Sequence, residues 1–259
     1  MLELSPVKLL LALALLLAPA TSSAQNQPPL NLLLDRLDTY AAHYQTTLSS
    51  FSCDEKITSQ TLNRKGHVRH EEQVESTLRE IRTSNPNAPF LEQRHFKKLD
   101  GFRAPSNYST SQLPYFVTGG FAGLVGFKLW QQRECFDYEL SPGPTPQTVR
   151  LEMTLKQQFT NPACAKIPDG FRRVVIAEPD TGRILHTERT IAAGAAELNG
   201  DAYFGAIDYA PQKLGDKTFL LPSRFIAHDP DNTHRMTATY SHYHRYIGEM
   251  KILPGTPRP

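Results

Sequence analysis

The feature that most constrains the fold is a two-residue rhythm, clearest in TVRLEMTLKQQF (148–159). Val149, Leu151, Met153, Leu155 and Phe159 take one parity, and Arg150, Glu152, Thr154, Lys156 and Gln158 take the other. Successive side chains of a strand point to opposite faces. The segment therefore predicts an antiparallel strand with one dry and one wet face. The rhythm recurs along the chain. FRRVVIAEPDTGRILHTERTI (171–191) reads as two strands around a turn at Pro179-Asp180-Thr181-Gly182. KLGDKTFLLPSRFIAH (213–228) reads as a turn at Gly215-Asp216 and then a strand. Pro222 cannot donate to a ladder, which moves that strand to an edge or into a bulge. Residues 51–62, 92–99, 128–140, 203–210 and 234–247 are further strands. In HVRHEEQVESTLREIRT (67–83), Val74, Leu78 and Ile81 also fit a short helix, but the place of the segment after the turn-like NRKGH favours a strand.

A sheet with one dry face needs a cover. Leu30, Leu33, Leu34, Leu37, Tyr40, Ala41, Tyr44 and Leu48 recur at the three-and-four spacing of one helical stripe, so residues 30–50 predict an amphipathic helix behind Pro28 and Pro29. A second apolar segment, YFVTGGFAGLVGFKLW (115–130), carries Gly119, Gly120, Gly123 and Gly126. It has neither the Gly-Lys-Ser/Thr of a phosphate loop nor GxGxxG. It reads either as core filling or as one wall of an apolar pocket, lined by Phe121, Leu124, Val125, Phe127 and Trp130 together with Leu33 and Leu37. No repeat, long linker or composition shift divides the chain, so residues 25–250 are expected to form a single domain.

The first 24 residues have the three-part layout of a cleavable export signal: Lys8, the run LLLALALLL (9–17), and APATSSA with Ser22 and Ala24 before the cut. An uncleaved anchor is the alternative, because Glu3 offsets Lys8. No cysteine stands at the cut to accept a lipid, and no later stretch approaches the ~20 apolar residues of a membrane span. Export implies a periplasmic setting in a Gram-negative-type cell, where disulfides persist. Among the three cysteines, Cys53 shares parity with Phe51 and Ile57 and reads as core-facing. Cys135 has the parity opposite to Trp130, Phe136, Tyr138 and Leu140, so it is expected on the polar face of its strand; Cys164 lies in the loop-like NPACAKIPDG. Cys135–Cys164 is therefore the favoured pair, with three unpaired thiols as the alternative. Residues 251–259, rich in proline, are expected to be disordered.

Motifs that carry chemistry are absent: there is no GxSxG, HExxH, CxxC or EF-hand loop. Glu71 and Glu72 fall on opposite faces of a strand, and HDPDN (228–232) reads as a polar turn. In YSHYHRY (240–246), His242 and His244 would stand ~6.5–7 Å apart on one face of a strand, at a rise of about 3.3 Å per residue. Zinc needs at least a third protein ligand, and the other histidines are scattered, so no metal is assigned. Tyr243 would point away from Tyr240 and Tyr246. With a net charge of only +2, this gives no stacking platform for nucleic acid.

The order of features, with FSCDE (Phe51, Cys53, Glu55) opening the first strand, FLEQRHFKKLDGFR (Glu92, Arg94, Asp100, Gly101) and a terminal TATYSHYHRY, resembles a group of exported bacterial proteins similar to the LolA/LolB-like lipoprotein carriers. The resemblance runs over most of residues 30–247 and rests on short motifs. It implies a β-rich α+β fold: a curved, half-closed antiparallel sheet whose concave face is covered by the N-terminal helix and a short apolar helix or loop. It also implies an apolar cavity for a lipid or an acylated envelope component. The chain has no lipobox cysteine, and no carrier functional residue matches a position in it. The expected function is non-catalytic binding of a hydrophobic ligand in the cell envelope without a cofactor, the alternative being a structural or protein-interaction module with a filled core.

Overall fold

The computed structural model describes residues 28–83, 90–117, 130–191 and 203–246. The signal segment, the proline-rich tail, and Phe121, Leu124, Val125 and Phe127 lie outside the described residues. One helix, α1 (Leu30–Thr47), precedes eleven strands: β1 (Phe51–Leu62), β2 (Val68–Ile81), β3 (Leu91–Leu99), β4 (Phe102–Arg103), β5 (Phe136–Pro142), β6 (Val149–Leu155), β7 (Arg172–Ala177), β8 (Ile184–Ile191), β9 (Tyr203–Leu214), β10 (Lys217–His228) and β11 (His234–Arg245). They form one sheet in the order β4-β3-β2-β1-β11-β10-β9-β8-β7-β6-β5, antiparallel throughout. The last strand slots against the first and joins two meanders. β4 and β5 are the two edges, so the sheet is open.

Turn chemistry sets the register. Asp100 and Gly101 both have positive φ (48° and 84°), the two-residue hairpin that links β3 to β4 with the right twist. Gly215 (φ 66°) opens the β9–β10 turn. Pro222 falls at a register shift in the β9–β10 ladder, the bulge that its missing donor demands. Segment 67–83 is a strand, as its position after NRKGH favoured.

Parity arguments failed at three places, each with a local cause. Residues 130–135 form a 3-10 turn, so β5 begins only at Phe136. Cys135 is therefore buried rather than carried on a polar face, although it does pair with Cys164 (Cα–Cα 5.4 Å). The β6 rhythm stops at Leu155, and Phe159 is exposed because the chain turns away toward the 3-10 turn Pro162–Lys166 that holds Cys164. In β11, His242 has φ 51° and the β1–β11 register slips between Ser52 and Asp54. The extra residue turns Tyr243 inward beside Tyr240, and both are buried.

Candidate functional site: the inner face of the sheet

Register places the inward side chains in rows that cross the strands. One row runs Leu151, Val175, Thr187, Ile207, Phe225, Ala238, Ile57, Val74, and all of them are buried. Apart from Thr187 it is wholly apolar.

α1 lies on this face and is fixed there from several directions. Its stripe of Leu33, Leu34, Leu37, Ala41 and Tyr44 is buried, with Leu33 and Leu37 both at 0 % exposure. Arg36 donates to the Pro179 carbonyl (2.8 Å) in the β7–β8 turn. Gly182 of that turn comes so close that a Cβ there would meet the Arg36 carbonyl oxygen at 2.4 Å, and its φ of +70° also requires glycine. Arg133 donates to Asp35 (2.8 Å) and Asp38. Past the C-terminal end, Arg82, the residue after β2, donates to the Leu48 carbonyl (2.9 Å) and to that of Gln45, supplying the cation that the last turn of the helix lacks.

Toward the β1–β3 edge the inner face carries charge. Arg94 donates to both carboxylate oxygens of Glu55 (2.8 and 3.1 Å) and to Glu92, and Ser76 donates to Glu55 (2.7 Å). The Arg94 guanidinium also lies over the Phe116 ring, 5.0 Å from its centre. Burial opposes its charge, but Glu55 and Glu92 outweigh burial and hold it above the ordinary arginine range. Glu80 stands directly opposite Glu92. Burial first, and the Glu92 charge second, push Glu80 up to about 9, so it is a neutral acid at pH 7. Cys53 is buried beside this network; burial, then the Glu55 charge, raise its thiol far out of the reactive range. Glu55, Glu92, Arg94, Phe51 and Cys53 carried the family resemblance as separate short motifs, and folding brings them together.

On the opposite wing Arg173 and Arg189 are direct cross-strand neighbours. Arg173 is 2 % exposed, and burial, then the like charge of Arg189, pull it down to about 10. Parity could have placed both side chains inward, but pairing them needed the β7–β8 register.

The two histidines of YSHYHRY are exposed; His242 meets Asp54 (Nδ1–Oδ2 3.1 Å). Among the described residues, no group of three or more His, Cys, Asp or Glu could hold a metal ion. Nor is any described helix long and apolar enough to cross a membrane. Residues 113–117 run along the inner face: Leu113 and Val117 are buried, and Tyr115 exchanges two hydrogen bonds with Ser59 Oγ (2.7 and 2.8 Å). Trp130 belongs to the 3-10 turn that ends at Cys135.

No family model matches the chain, and no curated protein does. Solved structures similar to it include a DUF1329 family protein from Desulfovibrio piger (12% identity, TM-score 0.46, covering 85% of this chain and 95% of that one). A putative outer membrane lipoprotein-sorting protein domain from Vibrio parahaemolyticus is similar at 9% identity and a TM-score of 0.47, covering 81% and 90%. A LolA superfamily protein from Nitrosomonas europaea is similar at 12% identity and a TM-score of 0.35, covering 86% and 94%. At these identities and scores nothing about ligand, partner or activity passes from those proteins to this chain.

Proposed function

We propose that the chain is an exported, non-catalytic protein that binds the acyl chain of a lipid or of an acylated envelope component against the inner face of its sheet. The observation that carries this is the mismatch between sheet and helix. Eleven strands at about 4.8 Å spacing make a sheet about 50 Å across. The 18 residues of α1 reach about 27 Å. One helix cannot cover such a face, and the row from Ile207 to Val74 is apolar well away from the β7–β8 turn that holds the helix. In this reading Phe121, Leu124, Val125 and Phe127 supply the facing wall, Trp130 closes one end, and Leu33 and Leu37 support the floor. Each buried methylene contributes about 0.8 kcal/mol, so about ten give a gross ~8 kcal/mol, enough for micromolar binding when ordering costs are small. The disulfide fits the export that the N-terminal segment predicts.

The test is equilibrium titration with a fluorescent fatty-acid probe. Saturable binding at one site per chain is expected, and Leu124→Glu should remove it without changing the melting curve, because the site would then hold an unpaired charge. The alternative reading, a structural module with a filled core, is favoured by the tethers of α1. It wins if no probe binds and Leu124→Glu unfolds the chain.

A further inference from the structure

The β1–β2 hairpin projects beyond its neighbour on one side. β2 pairs with β3 only from Val74 onward and Gln73 still bonds Asp100 of the β3–β4 turn, so Val68–Glu72 has no β3 ladder beside it, about 16 Å of ribbon at ~3.3 Å per residue. At its tip is NRKGHVRH (63–70), with Arg64, Lys65 and Arg69 and no acid. These three charges exceed the net +2 of the whole chain, so the rest of the molecule is on balance acidic. Every residue from Arg64 to His70 is exposed. Val68, at 46 %, is one of few large apolar side chains exposed among the described residues. A Cβ on Gly66, at the turn, would meet no described atom within 4 Å.

Nearby acids keep their charge but stand outside residues 63–70, and their neighbours hydrogen-bond them in place. Glu71 accepts from Gln60 and Gln73, and Glu72 meets His70 (3.2 Å) and the Tyr108 hydroxyl (3.2 Å). The adjacent β10–β11 turn is tied to the hairpin by the Leu62 amide and the Thr233 carbonyl (2.6 Å). It brings Asp229, which accepts from Thr233 and meets His234, and Asp231; Arg235 on the same side is bonded to Gln60. The turn itself, residues 63–70, carries the three cations and no acid.

We infer that this hairpin tip docks on a bilayer surface bearing anionic phospholipid headgroups, with Arg64, Lys65 and Arg69 at the headgroups and Val68 at the acyl boundary. Charge complementarity selects that occupant, and a single exposed valine among cations suits an interface better than a groove. Placement fits as well: Ser59, which anchors Tyr115, is four residues from Asn63, so the docked tip lies at the end of the inner face where residues 113–117 run. The inference concerns the outer surface and does not depend on an inner-face ligand.

The test is co-sedimentation of the mature chain with vesicles of phosphatidylcholine alone or with about 30% phosphatidylglycerol, from about 0.05 to about 0.5 M salt. Binding to the anionic vesicles only, lost as salt rises, is expected. Arg64→Ala with Lys65→Ala and Arg69→Ala should weaken it on the order of a hundredfold, at about fivefold per cation. A second triple variant, Arg183→Ala with Lys213→Ala and Lys217→Ala, removes as much charge elsewhere and should leave binding unchanged. Equal binding to neutral vesicles, equal loss in the two triple variants, or binding of a soluble polyanion such as heparin without binding to vesicles would overturn the proposal. All six side chains belong to surface residues, so each variant is expected to keep the parent melting curve, and sedimentation is read on folded protein.

Discussion

Consider the inner face where α1 lies and the same face farther along the strands, at the row from Ile207 to Val74. Under the helix, the cover is fastened from every side: Arg36 to the β7–β8 turn, Arg133 to Asp35 and Asp38, Arg82 to the last carbonyls, and Gly182 against the backbone. Along the apolar row the described fastening is the Tyr115–Ser59 pair, with Phe116 lying on Arg94 toward the β3 side. A cover held by backbone contacts and ion pairs is permanent, whereas one held mainly by apolar contact can be replaced by another apolar body at small cost. On the proposed reading α1 belongs to the scaffold, and the ligand takes the row beyond it.

Four perturbations sharpen or break that contrast. The largest effect is expected from the disulfide, which closes a loop of 29 residues beside the 3-10 turn that carries Arg133. Replacing Cys135 and Cys164 by alanine should cost about 3–4 kcal/mol by loop-closure entropy, read from urea unfolding. Gly182→Val comes next. Its Cβ would strike the Arg36 carbonyl, and valine resists the positive φ, so a loss of about 2–3 kcal/mol is expected. A neutral Gly182→Val would mean that α1 shifts easily, and the contrast would fail. Arg133→Ala should cost about 1–2 kcal/mol, since it removes two charge-assisted hydrogen bonds at a half-buried site.

The smallest effect concerns Glu80. Its folded value of about 9 lies above the ordinary 4.5, so the unfolded chain loses this proton first as pH rises. Stability from this group is therefore present below about 4.5 and declines toward 9. Glu80→Gln should flatten the stability curve over that window and raise stability at pH 8 by about 1 kcal/mol, since Glu92 shares the titration. A variant less stable than the parent at pH 8 would show that Glu80 is ionised in the fold.

Much of this architecture was legible in the sequence because strands announce themselves by parity. The turns at Pro179–Gly182 and at Gly215-Asp216, the α1 stripe and the β1 boundaries all follow from local pattern. Parity misled where the backbone left the two-residue rhythm: at the 3-10 turn before Phe136, at the end of β6, and at the His242 bulge that brings Tyr243 inside. The Cys135–Cys164 bond was foreseen, but from an exposed setting that Cys135 does not have. The ion network was written as FSCDE and FLEQR, yet nothing local says that Glu55 on β1 meets Arg94 on β3, because β2 lies between them and only register decides it. Of the proposed pocket residues, Leu33 and Leu37 are buried on α1, and Phe121, Leu124, Val125 and Phe127 lie outside the described residues.

The most direct measurement is native mass spectrometry of the protein purified without detergent from its own host, beside Leu124→Glu prepared in the same way. The account predicts a mature chain carrying one bound lipid mass, and a folded Leu124→Glu chain without it. A parent chain free of lipid, together with a Leu124→Glu chain that does not fold, would contradict it and leave the inner face as plain core.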